Sequence, residues 1–360
     1  MKYDNIPNLL LESLAYLGRK ATGNTWQSID LKIKEKKIEN VNQFEETFKQ
    51  LKALTNYVDK KISVNDDILM KFFSNIEGFP FNTIGSNSVA FLIFYEVLEE
   101  FCDNFDILIK KMKNFSSEEI AYNIADALDI SDSCKKKGVM SDRDFINAVL
   151  SLSIPAESKI IILDTYRNYH DYLETITPYI KSLLFIFNNK ISVFHEIINN
   201  FNLEINKIGC TNFLKQTSKL KLLDNLEYCL SPFVFGMDTL LLADTKVNYG
   251  HIYCGILRKD LLDMLNNKTS YIDEVYNEYH LLGDRTRFDI LIYIRDNKKA
   301  YGQELSKHLN LSRNTIHHHM SKLINSGFVV CTTDGNRVYY SIDNDSFESF
   351  LNKQKQLFLN

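Results

Sequence analysis

Residues 281–342 read LLGDRTRFDILIYIRDNKKAYGQELSKHLNLSRNTIHHHMSKLINSGFVVCTTDGNRVYYSI, and this stretch decides the fold of the last quarter of the chain. Asp284 is placed to cap a helix over Arg285–Arg295, with Phe288, Ile290, Leu291 and Ile294 as its apolar face. Asn297-Lys298-Lys299 breaks that pattern. A short helix follows over Gln303–Leu309, burying Leu305 and Leu309. Asn310-Leu311-Ser312 then makes a tight turn, and Ser312 is free to cap a third helix, Arg313–Ser326, which stops at Gly327. Two helices of this size across so short a turn are a helix-turn-helix signature. Beyond Gly327, the β-prone runs Phe328–Thr333 and Arg337–Ile342 flank Asp334-Gly335-Asn336, a strong hairpin signal. The tail, Asp345–Phe358, reads as a final helix with Asp345 and Glu348 as a capping pair.

Helical spacing divides the third helix into two stripes. Ile316, Met320, Leu323 and Ile324 must pack inward, which leaves Arg313, Asn314, His317, His318 and Ser321 outward. That outward stripe is polar, rich in hydrogen-bond donors and narrow enough for a major groove. From Lys298 to Lys322 there are five Lys/Arg against the single acid Glu304, whereas Met1–Ser270 holds 31 basic and 35 acidic residues. With a whole-chain formal charge of −4, any phosphate-binding footprint has to be local, and this is where it lies. The candidate DNA contacts are Arg313, Asn314, His317, His318 and Ser321, with Ser312, Lys307 and Lys322 nearby. Arg337, beside the hairpin turn, is placed to reach phosphate or minor groove.

The run from Leu281 to Asp343 resembles the winged helix of the ArsR/SmtB family of bacterial regulators over about 65 contiguous residues. The resemblance implies a homodimeric repressor reading an inverted-repeat operator, with Arg313, Asn314, His317 and His318 facing the bases. The long N-terminal part looks like that of enlarged ArsR-type regulators, on the strength of Leu11–Leu17 followed by Trp26. The positions of the family's thiol sensor are filled here by Tyr301 and Gln303, Cys331 stands alone in the wing, and the last helix has no histidine. Metal sensing is therefore not expected. His317-His318-His319 does not restore it, because consecutive helical residues point about 100° apart and cannot converge on one ion. His319 leans to the packed side.

The 360 residues exceed one ordinary domain, and 45% hydrophobic with 24% charged residues is a globular composition. Six scattered cysteines without CxxC spacing suit reduced thiols in a cytoplasm. The longest apolar runs, Val89–Tyr95 and Ser182–Phe187, are too short for a bilayer, and MKYDNIPNLLLESL does not read as a signal peptide.

Residues 1–205 read as a helical domain for sensing or dimerisation, from the spacing of Leu9, Leu10, Leu14, Leu17 and of Phe44, Phe48, Leu51, Leu54. Ser116 and Glu119 form a capping box, Pro155 ends one helical run, and Pro178 should kink or break Ala156–Asn189. Residues 206–262 read as a small mixed α/β segment, with strands near Leu226–Cys229, Thr239–Ala243 and His251–Ile256. Helix returns at 263–282 and leads into a winged helix-turn-helix over 263–345, followed by a helix at 346–360. The fold class is mainly α, with a two-stranded β wing.

These features predict a DNA-binding regulator without cofactor or metal, whose N-terminal domain takes a small-molecule or protein effector. His170-Asp171 and His195-Glu196 read as solvated surface rather than acid/base pairs, and no P-loop, HExxH or GxSxG pattern stands in a suitable context, so an enzyme is not expected. The rival readings are a winged helix used for protein docking, which should show apolar anchors on its third helix, and an enzyme with a DNA-binding tail.

Overall fold

The computed structural model describes residues 1–23, 25–27, 29, 42–78, 87–98, 104–128, 130–131, 138–152, 154–217, 227–244, 249–266, 271–311, 313–334 and 337–359. Strand β1 (Lys2–Tyr3) opens the chain and is followed by helices α1 (Leu9–Thr22), α2 (Asn42–Asp59), α3 (Asp66–Phe73), α4 (Val89–Phe94), α5 (Phe105–Met112) and α6 (Ser117–Ala127). Next come α7 (Asp142–Ser151), α8 (Ala156–Arg167), α9 (Tyr169–Asn188), α10 (Ile191–Ile208) and α11 (Cys210–Thr217). Strands β2 (Glu227–Phe233), β3 (Leu240–Asp244) and β4 (Tyr249–Gly255) precede α12 (Arg258–Asn266) and α13 (Tyr271–Leu282). The chain ends with α14 (Arg285–Asn297), β5 (Ala300–Tyr301), α15 (Gly302–Leu309), α16 (Arg313–Asn325), β6 (Val329–Asp334), β7 (Arg337–Ile342) and α17 (Asn344–Leu359). Among the described residues the protein is mainly helical, with two small sheets. Among the described residues no helix is long and apolar enough to cross a membrane.

Local chemistry explains most helix ends. Asn8 caps α1 by accepting the Leu11 N–H, and Ser116 and Glu119 form the expected capping box, with Ser116 N donating to Glu119 at 2.8 Å. Pro155 stands immediately before α8. Pro178 does not break the helix as its residue type predicts. Helix α9 runs through it from Tyr169 to Asn188, and the interruption falls at Asn168, whose side chain turns back onto Asp164. A proline inside a helix costs about 3 kcal/mol or more. Here Leu173, Ile176, Ile180, Leu183 and Phe187 are all fully buried along one face, and that burial outweighs the lost hydrogen bond.

The first sheet has the order β1-β2-β4-β3, with β1 and β4 parallel to β2 and β3 antiparallel to β4. Three of its strands match the β-prone runs; β1, two residues long, shows no periodicity in the sequence. The sheet and the helices that precede it share one hydrophobic cluster, from Leu9 to Leu257. A polar latch joins α1 to the turn after β2. Both oxygens of the fully buried Glu12 carboxyl accept backbone N–H groups, from Val234 and Phe235 at 2.7 Å each. Two turns further along the same helix face, buried Arg19 donates to the carbonyls of Phe235 and Gly236 and pairs with Asp238 at 3.1 Å. Burial pushes the Glu12 carboxyl up to about 8, against the pull of those N–H groups and of Arg19. Gly255 is required beside this turn, since a Cβ there would meet the Met237 carbonyl at 2.3 Å.

The second cluster is separate. Ile290, Leu291, Ile294, Ala300, Leu305, Ile316, Met320, Leu323, Phe328, Val329, Tyr340 and Phe350 are buried together. Phe288 is not among them: it is 49% exposed, because the buried stripe of α14 is Arg287, Ile290, Leu291 and Ile294. Strands β6 and β7 form the antiparallel hairpin, and short β5 adds to β7, giving the order β5-β7-β6. Helix α17 starts one residue early. Asp343, rather than Asp345 and Glu348, holds its start, accepting from Phe347 N at 3.1 Å and Ser346 Oγ at 3.3 Å.

Candidate nucleic-acid interface

Helix α16 is seated by its apolar stripe. Ile316, Met320 and Leu323 are at most 1% exposed, and Ile324 is half-buried. Ile316, Met320 and Leu323 follow one another at four and three residues, with Ile324 beside the last, so one helical face is sealed against α14, α15 and β6. Asn310 ends α15 in the left-handed region at φ 52°, and Ser306 holds the turn by donating to the Leu311 carbonyl at 2.7 Å. Gly327, at φ 83°, ends α16 and lets the chain enter β6.

The rest of α16 faces away from that core. His318 and Lys322 are exposed and Ser321 is half-buried, while Lys307 is exposed on α15. Arg313, Asn314 and His317 lie on the α16 backbone and Arg337 starts β7 opposite Asp334, but the side chains of these four lie outside the described residues, as does all of Ser312. The helix register places positions 314, 317, 318 and 321 on one side, three and four residues apart. In the wing, Lys299 lies 4.5 Å from the centre of the Tyr339 ring, a cation–π contact that holds a positive charge beside β7. In the sequence that lysine registers only as local charge, because its ring partner is 40 residues away.

Three further residues of the region were not grouped by sequence reading. Asp284 accepts the Arg287 N–H at 3.0 Å, and the buried Arg287 guanidinium lies 3.5 Å from the same carboxylate. His319, on the packed side of α16, brings Nδ1 to 3.6 Å from Asp284 Oδ1. Burial lowers the His319 pKa, nearby Arg287, His318 and Lys322 lower it further, and Asp284 opposes them. The Arg287 N–H holds the Asp284 carboxyl below its ordinary range.

These contacts describe a helix-turn-helix with a wing, docked on its own core. Residues 283–330 match the winged helix-turn-helix DNA-binding family model. The winged helix so matched runs from just before α14 into β6 and includes the whole of α16. Comparison with curated proteins and with solved structures returns no match.

Outside the winged helix, His170-Asp171 on α9 and His195-Glu196 on α10 are exposed. Among the described residues no three His, Cys, Asp or Glu side chains gather as metal ligands.

Proposed function

We propose that the chain is a transcriptional regulator of ArsR type that binds an inverted-repeat operator as a homodimer and represses from it. In this reading it works in a bacterial cytoplasm, and residues 1–262 receive a non-metal small molecule or a protein effector and perform no catalysis. The observation that carries the DNA reading is the two-faced α16. Its aliphatic stripe is sealed in the core, and His318 and Lys322 stand in solvent on a helix of groove-entering size. A docking module would present apolar anchors there; among the described residues, the exposed side chains of α16 are an imidazole and an ammonium.

The dimer reading is supported by α13 and α17, which flank the winged helix and pack on each other. Ile272, Tyr276 and Tyr279 recur at helical spacing on α13 and are exposed, as are Leu351, Phe358 and Leu359 on α17. Apolar side chains concentrated on joined helices mark an association surface, and a second copy closes it by two-fold symmetry. Two recognition helices then enter major grooves roughly 34–36 Å apart.

Binding of the full chain to duplex DNA, followed by fluorescence anisotropy, tests this. Arg313→Ala should weaken specific binding by about 1–3 kcal/mol per subunit and relax one base position. Arg337→Ala should weaken all sequences alike. Unchanged binding by Arg313→Ala removes the base-reading role.

A further inference from the structure

Asp284 stands where three helices meet. As the cap of α14 it accepts the Arg287 N–H. Through the Arg287 guanidinium it is tied to α13, because that group also donates to the carbonyls of His280 at 3.2 Å and Leu281 at 2.5 Å. Through His319 it faces α16. The His319 Nδ1 is buried and makes no hydrogen bond, at 3.6 Å from the carboxylate.

Each contact has a physical reason. The last carbonyls of a helix have no partner within it, and burying them unpaired costs about 1–3 kcal/mol each, so α13 needs a donor at its end. Arg287 supplies one, but its buried charge then needs an anion, and Asp284 is the anion within reach. The distance to His319 lies just outside hydrogen-bond length. A displacement of a few tenths of an ångström in either helix makes or breaks that bond.

We propose that Asp284 is a positioning residue for the recognition helix, coupling the seat of α16, through His319, to the end of α13, through Arg287. The inference rests on the DNA-binding reading above and gives it a regulatory route. Helix α13 connects the N-terminal part to the winged helix, so a change that shifts its end alters how α16 is held. The groups facing the imidazole are Asp284 ahead of α14, Arg287 on α14, and His318 and Lys322 on α16.

The test uses the full chain and the duplex that the wild-type protein enriches most from a randomised pool. Asp284→Ser keeps a capping oxygen but removes the charge, and His319→Phe keeps a ring but removes the nitrogen. Each single variant should weaken binding to that duplex by about 3–10-fold, and the double variant should bind no more weakly than the worse single one, as expected of coupled residues. The His319 imidazole, followed by NMR, should titrate at lower pH in Asp284→Ser than in the wild type; Asp284→Asn replaces that variant if its fold is lost. Independent losses that multiply, or a His319 titration that does not move, overturn the proposal. A wild-type protein that enriches no duplex removes the DNA reading and this inference with it, whereas tight wild-type binding with unaffected variants removes the coupling alone.

Discussion

The Tyr279 hydroxyl donates to Gln354 Oε1 at 2.6 Å, and this bond joins the helix before the winged helix to the helix after it. Tyr279 also lies against Phe350, and Lys353 pairs with Glu278 at 3.0 Å beside them. The apolar side chains that α13 and α17 expose are thereby held on one rigid pair rather than on two independent arms.

If that pair is the dimer surface, a charge placed on it should separate the subunits without unfolding them. Tyr276→Glu combined with Phe358→Glu is expected to give a folded monomer by sedimentation, with circular dichroism unchanged. Both residues are largely exposed, so neither replacement buries a charge in the monomer. A dimer that persists in the double variant would move the interface elsewhere.

The latch between α1 and the turn after β2 should behave as a single unit. Arg19→Met leaves the Phe235 and Gly236 carbonyls without their donor and Glu12 without its cationic neighbour. The expected loss is about 3–5 kcal/mol in urea unfolding, as for breaking a buried pair from one side. A change below about 1 kcal/mol would mean that the turn is held by packing alone.

Acidic pH should stabilise the protein through Asp260. Burial, reinforced by Glu204, raises its carboxyl to about 6, while Lys259 pulls the other way. A carboxyl raised on folding holds a proton that the unfolded chain has already released, so its contribution is complete below the ordinary aspartate range and is lost as pH rises through 6. Asp260→Asn should therefore raise stability by about 1–2 kcal/mol at neutral pH and flatten the dependence of Tm on pH between 4 and 7. An unchanged slope in the variant would contradict this.

The core under the recognition helix should be costly to empty. Met320 is fully buried, and Met320→Ala is expected to cost about 2–5 kcal/mol. Duplex binding measured below the unfolding transition should fall with it, since the same side chain packs α16 onto its core. Chemical denaturation and anisotropy on one preparation check both effects.

The winged helix was legible because its boundaries are written in local chemistry. Asp284 before Arg285, Asn310 between α15 and α16, and Gly327 after α16 each act within a few residues of themselves. The fold elsewhere depends on contacts that local spacing does not carry. Glu12 and Arg19 sit seven residues apart in a leucine-rich helix, yet their partners are more than 200 residues away. The uninterrupted α9 follows from tertiary burial around Pro178, which overrides the residue's own preference. Within the site, helical spacing placed His319 on the packed side but gave no hint of Asp284, 35 residues earlier. Phe288 was misplaced because the buried stripe of α14 is completed by an arginine.

Helix α16 must carry a face for duplex DNA if the chain is a DNA-binding regulator. Selection from a randomised duplex pool with the full chain, followed by affinity measurement at two salt concentrations, tests it most directly. The expected result is an enriched two-fold symmetric sequence whose binding weakens steeply between about 50 and 200 mM salt, because Lys and Arg displace counterions condensed on the phosphates. A chain that enriches no sequence, and that shows no affinity for any duplex at the lower salt, would contradict it.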